Sequence, residues 1–319
     1  MKKRIVLIIV LILICSCFIN LLYLSYAKMN TIGIESDITG KGLNNEEYIY
    51  KEDLLHLNYK IDEIEIISKK ISETDVKKYL LTKKYNDLIQ FIACPYFNIE
   101  NIERYQNYKD NTDYSTDETV MNVEIGIDNN FYTNIIKTDT SKNELMLVNK
   151  YHILDKEYSP TLVSVDSKYG SGIADKTAYE YFKKMVDAAK KDNINLYSVS
   201  FYRSYDNQNT LYNRYVKRDG VKEADTYSAR PGHSEHQTGL SVDINTSARS
   251  SKFEKTKEYE WLISNSYKYG FILRYPENKS YITGYIYEPW HYRYVGIENA
   301  MIIFQEQLTY EEYYVKYVK

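Results

Sequence analysis

Residues 231–245 read PGHSEHQTGLSVDIN, and a second short stretch, residues 288–291, reads EPWH. The first offers His236 and, seven positions on, Asp243; the second offers His291 with Glu288 three positions before it. Residues 239–244 (GLSVDI) have the pattern of a short strand entered from a mobile loop rich in Pro, Gly and Ser. That geometry lets a loop His and a strand Asp meet at one point. Two imidazoles and a carboxylate are enough protein ligands for a catalytic zinc, which keeps a further position open. A second carboxylate beside it would complete a metal-assisted hydrolase. A His hydrogen-bonded to an Asp is also a common core pair, and composition alone produces such pairs. The chain has five His, however, and three of them (His233, His236, His291) fall in these two stretches.

Both stretches resemble the zinc motifs of the VanY-like D-alanyl-D-alanine carboxypeptidases, S-x-H-x-x-G-x-x-x-D and E-x-x-H, here SEHQTGLSVD and EPWH. These peptidases belong to a superfamily that also holds lysostaphin-type enzymes and the hedgehog signalling domain. A third stretch, residues 200–208 (SFYRSYDNQ), is similar to the family's Y-R-S-x-x-x-Q segment. The resemblance spans residues 147–297, about half the chain. It implies an α+β fold with a central antiparallel sheet and a bound Zn2+. It implies His236, Asp243 and His291 as ligands and Glu288 as general base. Arg203 would clamp a substrate carboxylate or stabilise the oxyanion. Gln208 and Ser234 would hold the terminal D-alanine, and Tyr275 and Trp290 would wall the pocket. The substrate implied is a peptidoglycan stem peptide or precursor ending in D-Ala. An L,D-carboxypeptidase acting on tetrapeptide stems and a non-catalytic zinc-binding wall module stand as alternatives. Retention of Glu288 argues against the module.

Composition bounds the rest. With 44% hydrophobic and 27% charged residues the chain is globular over most of its 319 residues. Its 36 tyrosines, among abundant Lys, Asn and Ile, read as compositional bias rather than a binding device. The net charge of −3 and the lack of a basic patch speak against a nucleic-acid partner. Residues 5–26 form a nearly unbroken apolar run, long enough as a helix (about 33 Å) to cross a bilayer core. Lys2, Lys3 and Arg4 precede it, which predicts a single-pass anchor with the remainder outside the cell membrane; without those three charges the remainder moves from −3 to −6. A signal-peptidase site at residues 25–27 and a lipoprotein-like box at residues 14–17 are the rival readings. Cys15 and Cys17 lie in that run, leaving Cys94 without an intramolecular partner and expected to be a buried small hydrophobe.

The expected organisation is an anchor over 1–27, an accessory or spacer region over 28–140, and the catalytic domain over 141–319. In the spacer, residues 28–60 read as a loose lead-in and residues 61–67 (IDEIEII) as a strand. Residues 74–92 read as a helix with Ser72 or Thr74 as cap, residues 98–108 as a short helix, and residues 119–127 (TVMNVEIGI) as a strand. In the catalytic part the patterns predict helices over 175–191, 205–218, 256–269 and 297–307. Strands are expected over 195–202, 271–275 and 289–295.

Overall fold

The computed structural model describes residues 45–319, so the expected anchor over 1–27 lies outside the described residues. Among those described, no helix is long and apolar enough to cross a membrane. The chain divides into two compact units, one ending at Ile92 and one running from Ala93 to Lys319. This division does not coincide with the expected boundary at 140, because residues 93–140 belong to the same unit as the motifs.

In the first unit, helix α1 (Asn45–His56) occupies part of the expected lead-in. Residues 61–67 are helical, not a strand: α2 is Ile61–Lys70. Its buried residues, Ile64 and Ile67, are three apart, while Ile66, two positions from Ile64, faces solvent, as does Ile61, so helical spacing wins over alternation. Glu63 accepts from the Lys60 backbone N–H at 2.7 Å and starts the helix. The expected helix over 74–92 is broken. Ser72 caps a short turn at Glu73–Asp75, a π-turn covers Val76–Leu80, and the helix resumes only at Leu88–Ala93. Between them the backbone N–H of Tyr85 donates to the Tyr59 hydroxyl at 2.9 Å, a bond that a continuous helix would not leave free.

The second unit begins with α3 (Ile102–Asp110) and α4 (Thr116–Ile125). The latter replaces the strand expected over 119–127. Ser115 and Glu118 form a reciprocal capping box, and Gly126 closes the helix at φ 102°. Two small sheets follow. Strands β1 (Ile136–Lys137) and β2 (His152–Ile153) pair in parallel, and β3 (Leu162–Ser164) and β4 (Ile173–Asp175) pair antiparallel. Helix α5 (Lys176–Lys191) is the scaffold of the unit. Asp175 accepts from the N–H groups of Thr177 and Ala178, and Lys190 and Lys191 sit at the C-terminal end of the dipole. Ala178, Phe182, Met185, Val186 and Ala189 repeat at helical spacing and are buried.

They pack beneath a four-stranded antiparallel sheet of β5 (Tyr197–Ser200), β6 (Ser241–Asn245), β7 (Phe271–Leu273) and β8 (His291–Tyr294), ordered β5-β6-β8-β7. Helices α6 (Tyr205–Asp219) and α7 (Val221–Tyr227) lie between β5 and β6, and α8 (Lys257–Asn265) precedes β7. Gly270 ends the turn after α8 at φ 82°, as its position suggests. Period two decides the faces. Val242, Ile244, Phe271, Tyr292 and Tyr294 join the core with α5, where Phe182 meets Phe201 and Phe271 edge to face. Each such fully buried side chain stabilises by about 1.5–3 kcal/mol. Ser241, Asp243, His291 and Arg293 project to the other face. After β8 come α9 (Ile297–Glu306), shorter by one residue than expected, and α10 (Tyr310–Tyr317), which the sequence reading did not foresee. Ala300, Ile303, Tyr310 and Tyr313 from these two helices cover Ile272 and Val295. The α+β architecture with a central antiparallel sheet is therefore the one expected.

Candidate active site

Strand register builds the centre. Asp243 on β6 is the partner of His291 on β8 and of Ser200 on β5. Asp243 and His291 thus sit opposite each other on one face; a slip of one residue would send one of them into the core. His236 comes from a 3-10 turn, Glu235–Thr238, closed by Gly239 at φ 70°. The Thr238 hydroxyl donates to Glu235 O at 2.6 Å and accepts from the Leu240 N–H at 3.0 Å, which tightens the turn. Residues 232–240 are all buried, so the expected mobile loop is instead a packed turn.

His236, Asp243 and His291 each offer an atom lying within 4.8 Å of the other two. His236 Nε2 is 3.5 Å from Asp243 Oδ2, and His291 Nδ1 is 3.2 Å from Asp243 Oδ1. Yet Asp243 Oδ1 makes no hydrogen bond of proper geometry and is buried. Three ligand-type atoms this close together, with a buried carboxylate oxygen among them that lacks a hydrogen bond of proper geometry, suit a shared cation. His236 Nδ1 lies 2.5 Å from the Phe201 carbonyl, which takes its proton and leaves Nε2 free for the ion. Two imidazole nitrogens with one carboxylate fit zinc, and do not fit the all-oxygen preference of calcium or magnesium.

Electrostatics agree. Burial lowers the His236 pKa and keeps the ring neutral. Burial opposes ionisation of Asp243, but His236 and His291 overcome it and hold the carboxyl well below its usual range. For His291 burial is again outweighed, by Asp243, Glu235 and Glu288, and the pKa rises to about 9. Those carboxylates favour positive charge at this point, whether proton or metal. Glu288 Oε2 lies 3.6 Å from His291 Nδ1. Burial pushes its carboxyl up to about 7 against the pull of His291, with Asp243 adding to the rise. A carboxyl near neutrality can both accept and return a proton.

All nine residues singled out from the sequence line one cavity of about 380 Å³. Arg203 enters it between β5 and α6. Its Nη1 donates to Gln208 Oε1 at 2.8 Å, and its Nη2 lies 3.9 Å from Asp243 Oδ2. Gln208 is buried and fixed in turn by donating to the Ala229 carbonyl at 2.7 Å. Ser234 and Tyr275 are buried, and the Tyr275 ring lies 4.9 Å from that of His291. Trp290 stays 37% exposed, so it is a pocket wall and not a core residue. His233 is outside the cavity: its Nδ1 meets the Asn149 carbonyl at 2.8 Å and its ring packs edge-on against Tyr132.

Sequence reasoning missed a buried charge cluster behind His291. Glu235, Arg274, Arg293 and Glu311 are all at most 1% exposed. Burial opposes charge on Glu235, but Arg274 and Arg293 hold its carboxyl well below the ordinary range. The available signal was an Arg within or just after each of two short, largely apolar or aromatic strand segments, FILRY and HYRYV. Tyr215, Tyr227, Tyr285 and Ile286, which also line the cavity, were not foreseen either.

A carboxylate and an imidazole on one face of an antiparallel sheet, a second imidazole from the adjoining turn and a buried glutamate beside them form the site of a metal-dependent hydrolase. The VanY family profile, D-alanyl-D-alanine carboxypeptidase, matches residues 173–297. The chain is 41% identical over 224 residues to the putative carboxypeptidase YodJ of Bacillus subtilis (strain 168), covering 64% of this chain and 81% of that protein. It is similar to the solved structure of the LD-carboxypeptidase LdcB at 40% identity and a TM-score of 0.54, covering 60% of this chain and 95% of that one. It is also similar to VanYB solved with D-alanine-D-alanine, at 38% identity and a TM-score of 0.50, covering 55% and 99%. The chain belongs to the VanY family of carboxypeptidases.

Proposed function

We propose that this chain is a zinc-dependent D-alanyl-D-alanine carboxypeptidase that removes the C-terminal D-Ala from peptidoglycan stem peptides or their precursors. The observation that carries this reading is the meeting of His236, Asp243, His291, Glu288 and Arg203 in one cavity. Zinc held by the first three would supply a Lewis acid for the scissile carbonyl and a water acidified to a pKa of about 7. Glu288 takes the proton of the attacking water and passes it to the amine of the departing D-Ala as the C–N bond breaks. Arg203, steadied by Gln208, binds the free carboxylate of the terminal residue. Ser234 lends a hydroxyl to the same end of the substrate, and Tyr275 and Trp290 exclude water from the terminal methyl group.

A second reading, L,D-carboxypeptidase activity on tetrapeptide stems, is favoured by the 40% identity to LdcB. Incubating the zinc-loaded protein with a pentapeptide ending in D-Ala-D-Ala and with a tetrapeptide ending in a single D-Ala separates the two. Release of D-Ala from the pentapeptide alone, lost in Glu288→Ala, is the expected result. Release only from the tetrapeptide moves the assignment to L,D, and no release from either while zinc stays bound leaves a binding module.

The apolar run over 5–26 and the three cations before it support placing the catalytic unit outside the cell membrane on a single-pass anchor. Protease added to intact cells should then degrade the catalytic unit; protection until the cells are lysed would overturn this placement.

A further inference from the structure

Glu235 sits between Ser234 and His236 and borders the cavity, but none of its side chain is exposed. Its Oε1 accepts from Arg274 Nε at 2.8 Å and lies 3.0 Å from Arg293 Nη1. Its Oε2 accepts from the Ser241 hydroxyl at 3.2 Å and faces His291 Nε2 at 3.7 Å. Arg274 is gripped from its far side by Glu311 of α10, Nη1 to Oε2 at 2.9 Å and Nη2 to Oε1 at 2.6 Å. A buried ionic network of this kind is often no more stable than apolar residues of the same volume. Stability alone therefore does not account for a carboxylate at this place.

The His291 ring does. Its Nδ1 is turned to Asp243 and Glu288, so when that nitrogen gives its lone pair to a cation the single ring proton sits on Nε2. His291 Nε2 is buried and has no hydrogen-bond partner of proper geometry. Glu235 Oε2 is the anion facing it at 3.7 Å, and a shift of about half an ångström would bring the two to hydrogen-bond distance.

We infer that Glu235 is a positioning residue for His291. Its carboxylate holds the ring with Nδ1 toward the ion, while Glu311 anchors Arg274 and serves the fold without reaching the ligand. The inference rests on the reading of His291 as a zinc ligand. It also gives a task to a residue between the motif's Ser and His, and ties it to a helix beyond the matched residues 173–297.

The test uses the zinc-loaded protein, Glu235→Asp and Glu311→Gln. Zinc affinity is read by competition with a chromophoric chelator, ligand geometry by the visible spectrum after cobalt(II) replacement, and folding by Tm. Glu235→Asp keeps a negative charge for both guanidiniums but draws the carboxylate back by one methylene. It is expected to weaken zinc binding about 10–100-fold and to shift the cobalt bands. Glu311→Gln is expected to lower Tm and leave zinc affinity unchanged. Wild-type zinc affinity and cobalt spectrum in Glu235→Asp overturn the inference, as does an equal loss of zinc in both variants. Should Glu235→Asp not fold, the Nε2 proton of His291 in the zinc-loaded wild-type protein decides by NMR. A downfield, slowly exchanging proton supports a carboxylate partner, and an ordinary, rapidly exchanging one overturns it. A wild-type protein that takes up no zinc overturns the ligand reading itself.

Discussion

Replacing Arg203 with alanine separates two jobs that a guanidinium can do at this place: binding the substrate's terminal carboxylate, or stabilising the oxyanion. The side chain is fixed before substrate arrives. Nη1 donates to Gln208 Oε1 at 2.8 Å, Nη2 lies 3.3 Å from the Ser200 hydroxyl, and the backbone N–H donates to the carbonyl of His236 at 3.0 Å. Its remaining N–H groups can meet a carboxylate without reordering the side chain. A hydrogen bond to a charged group is worth about 1.5–3 kcal/mol net, and about 1.4 kcal/mol is tenfold. The wild-type protein should therefore prefer a peptide ending in D-Ala-D-Ala over the same peptide with a C-terminal amide by about 10–150-fold in kcat/KM. Arg203→Ala should lose that preference and cleave both peptides as the wild type cleaves the amide. Release of D-Ala and of D-alaninamide is followed by chromatography. Zinc content is measured alongside, because Nη2 lies only 3.9 Å from Asp243. If the variant slows both substrates equally and the acid preference survives, the carboxylate reading is wrong and the oxyanion role takes its place.

Three other outcomes are expected. A chelator should abolish D-Ala release, lower Tm by an amount that grows with the zinc affinity, and be reversed by added zinc; activity that persists in metal-free protein would contradict the ligand set. Gly239→Ala places a Cβ 2.7 Å from the Asp175 backbone N at φ +70°. The left-handed conformation alone costs about 1–2 kcal/mol, so Tm should fall by several degrees, and an unchanged Tm would mean that the turn relaxes freely. Burial pushes the Cys94 thiol up to about 12, and Asp117 Oδ1, accepting from it at 2.8 Å, adds to the rise. The thiol is thus protonated well above pH 8. In a Cys15→Ser/Cys17→Ser background a thiol reagent at pH 8 should label the unfolded protein quickly and the native one slowly; fast native labelling would contradict the burial.

How much of this was legible in the sequence differs by region for physical reasons. The ligands and Glu288 were readable because metal chemistry restricts residue type and spacing together, and helix α5 because Asp175 and five apolar positions agree on one period. The strand readings of IDEIEII and TVMNVEIGI failed because short apolar runs fit both periods. In the second of these the capping box of Ser115 and Glu118 lay just before the stretch considered. The break in the expected helix over 74–92 could not be read locally, since the Tyr59 hydroxyl that takes the Tyr85 N–H lies 26 residues away. The Glu235, Arg274, Arg293 and Glu311 cluster was invisible for the same reason: each charge looks like a surface residue until its partner is known.

The grip of Glu311 on Arg274 also bears on where this protein can be cut. The family profile ends at residue 297, and a chain truncated there would look complete by its motifs. It would lack Glu311, leaving Arg274 with one anion instead of two, and would uncover Ile272 and Val295, which Ala300, Ile303, Tyr310 and Tyr313 shield. The working boundary of the catalytic unit is thus drawn by charge balance around one buried arginine, some twenty residues past the last recognisable motif.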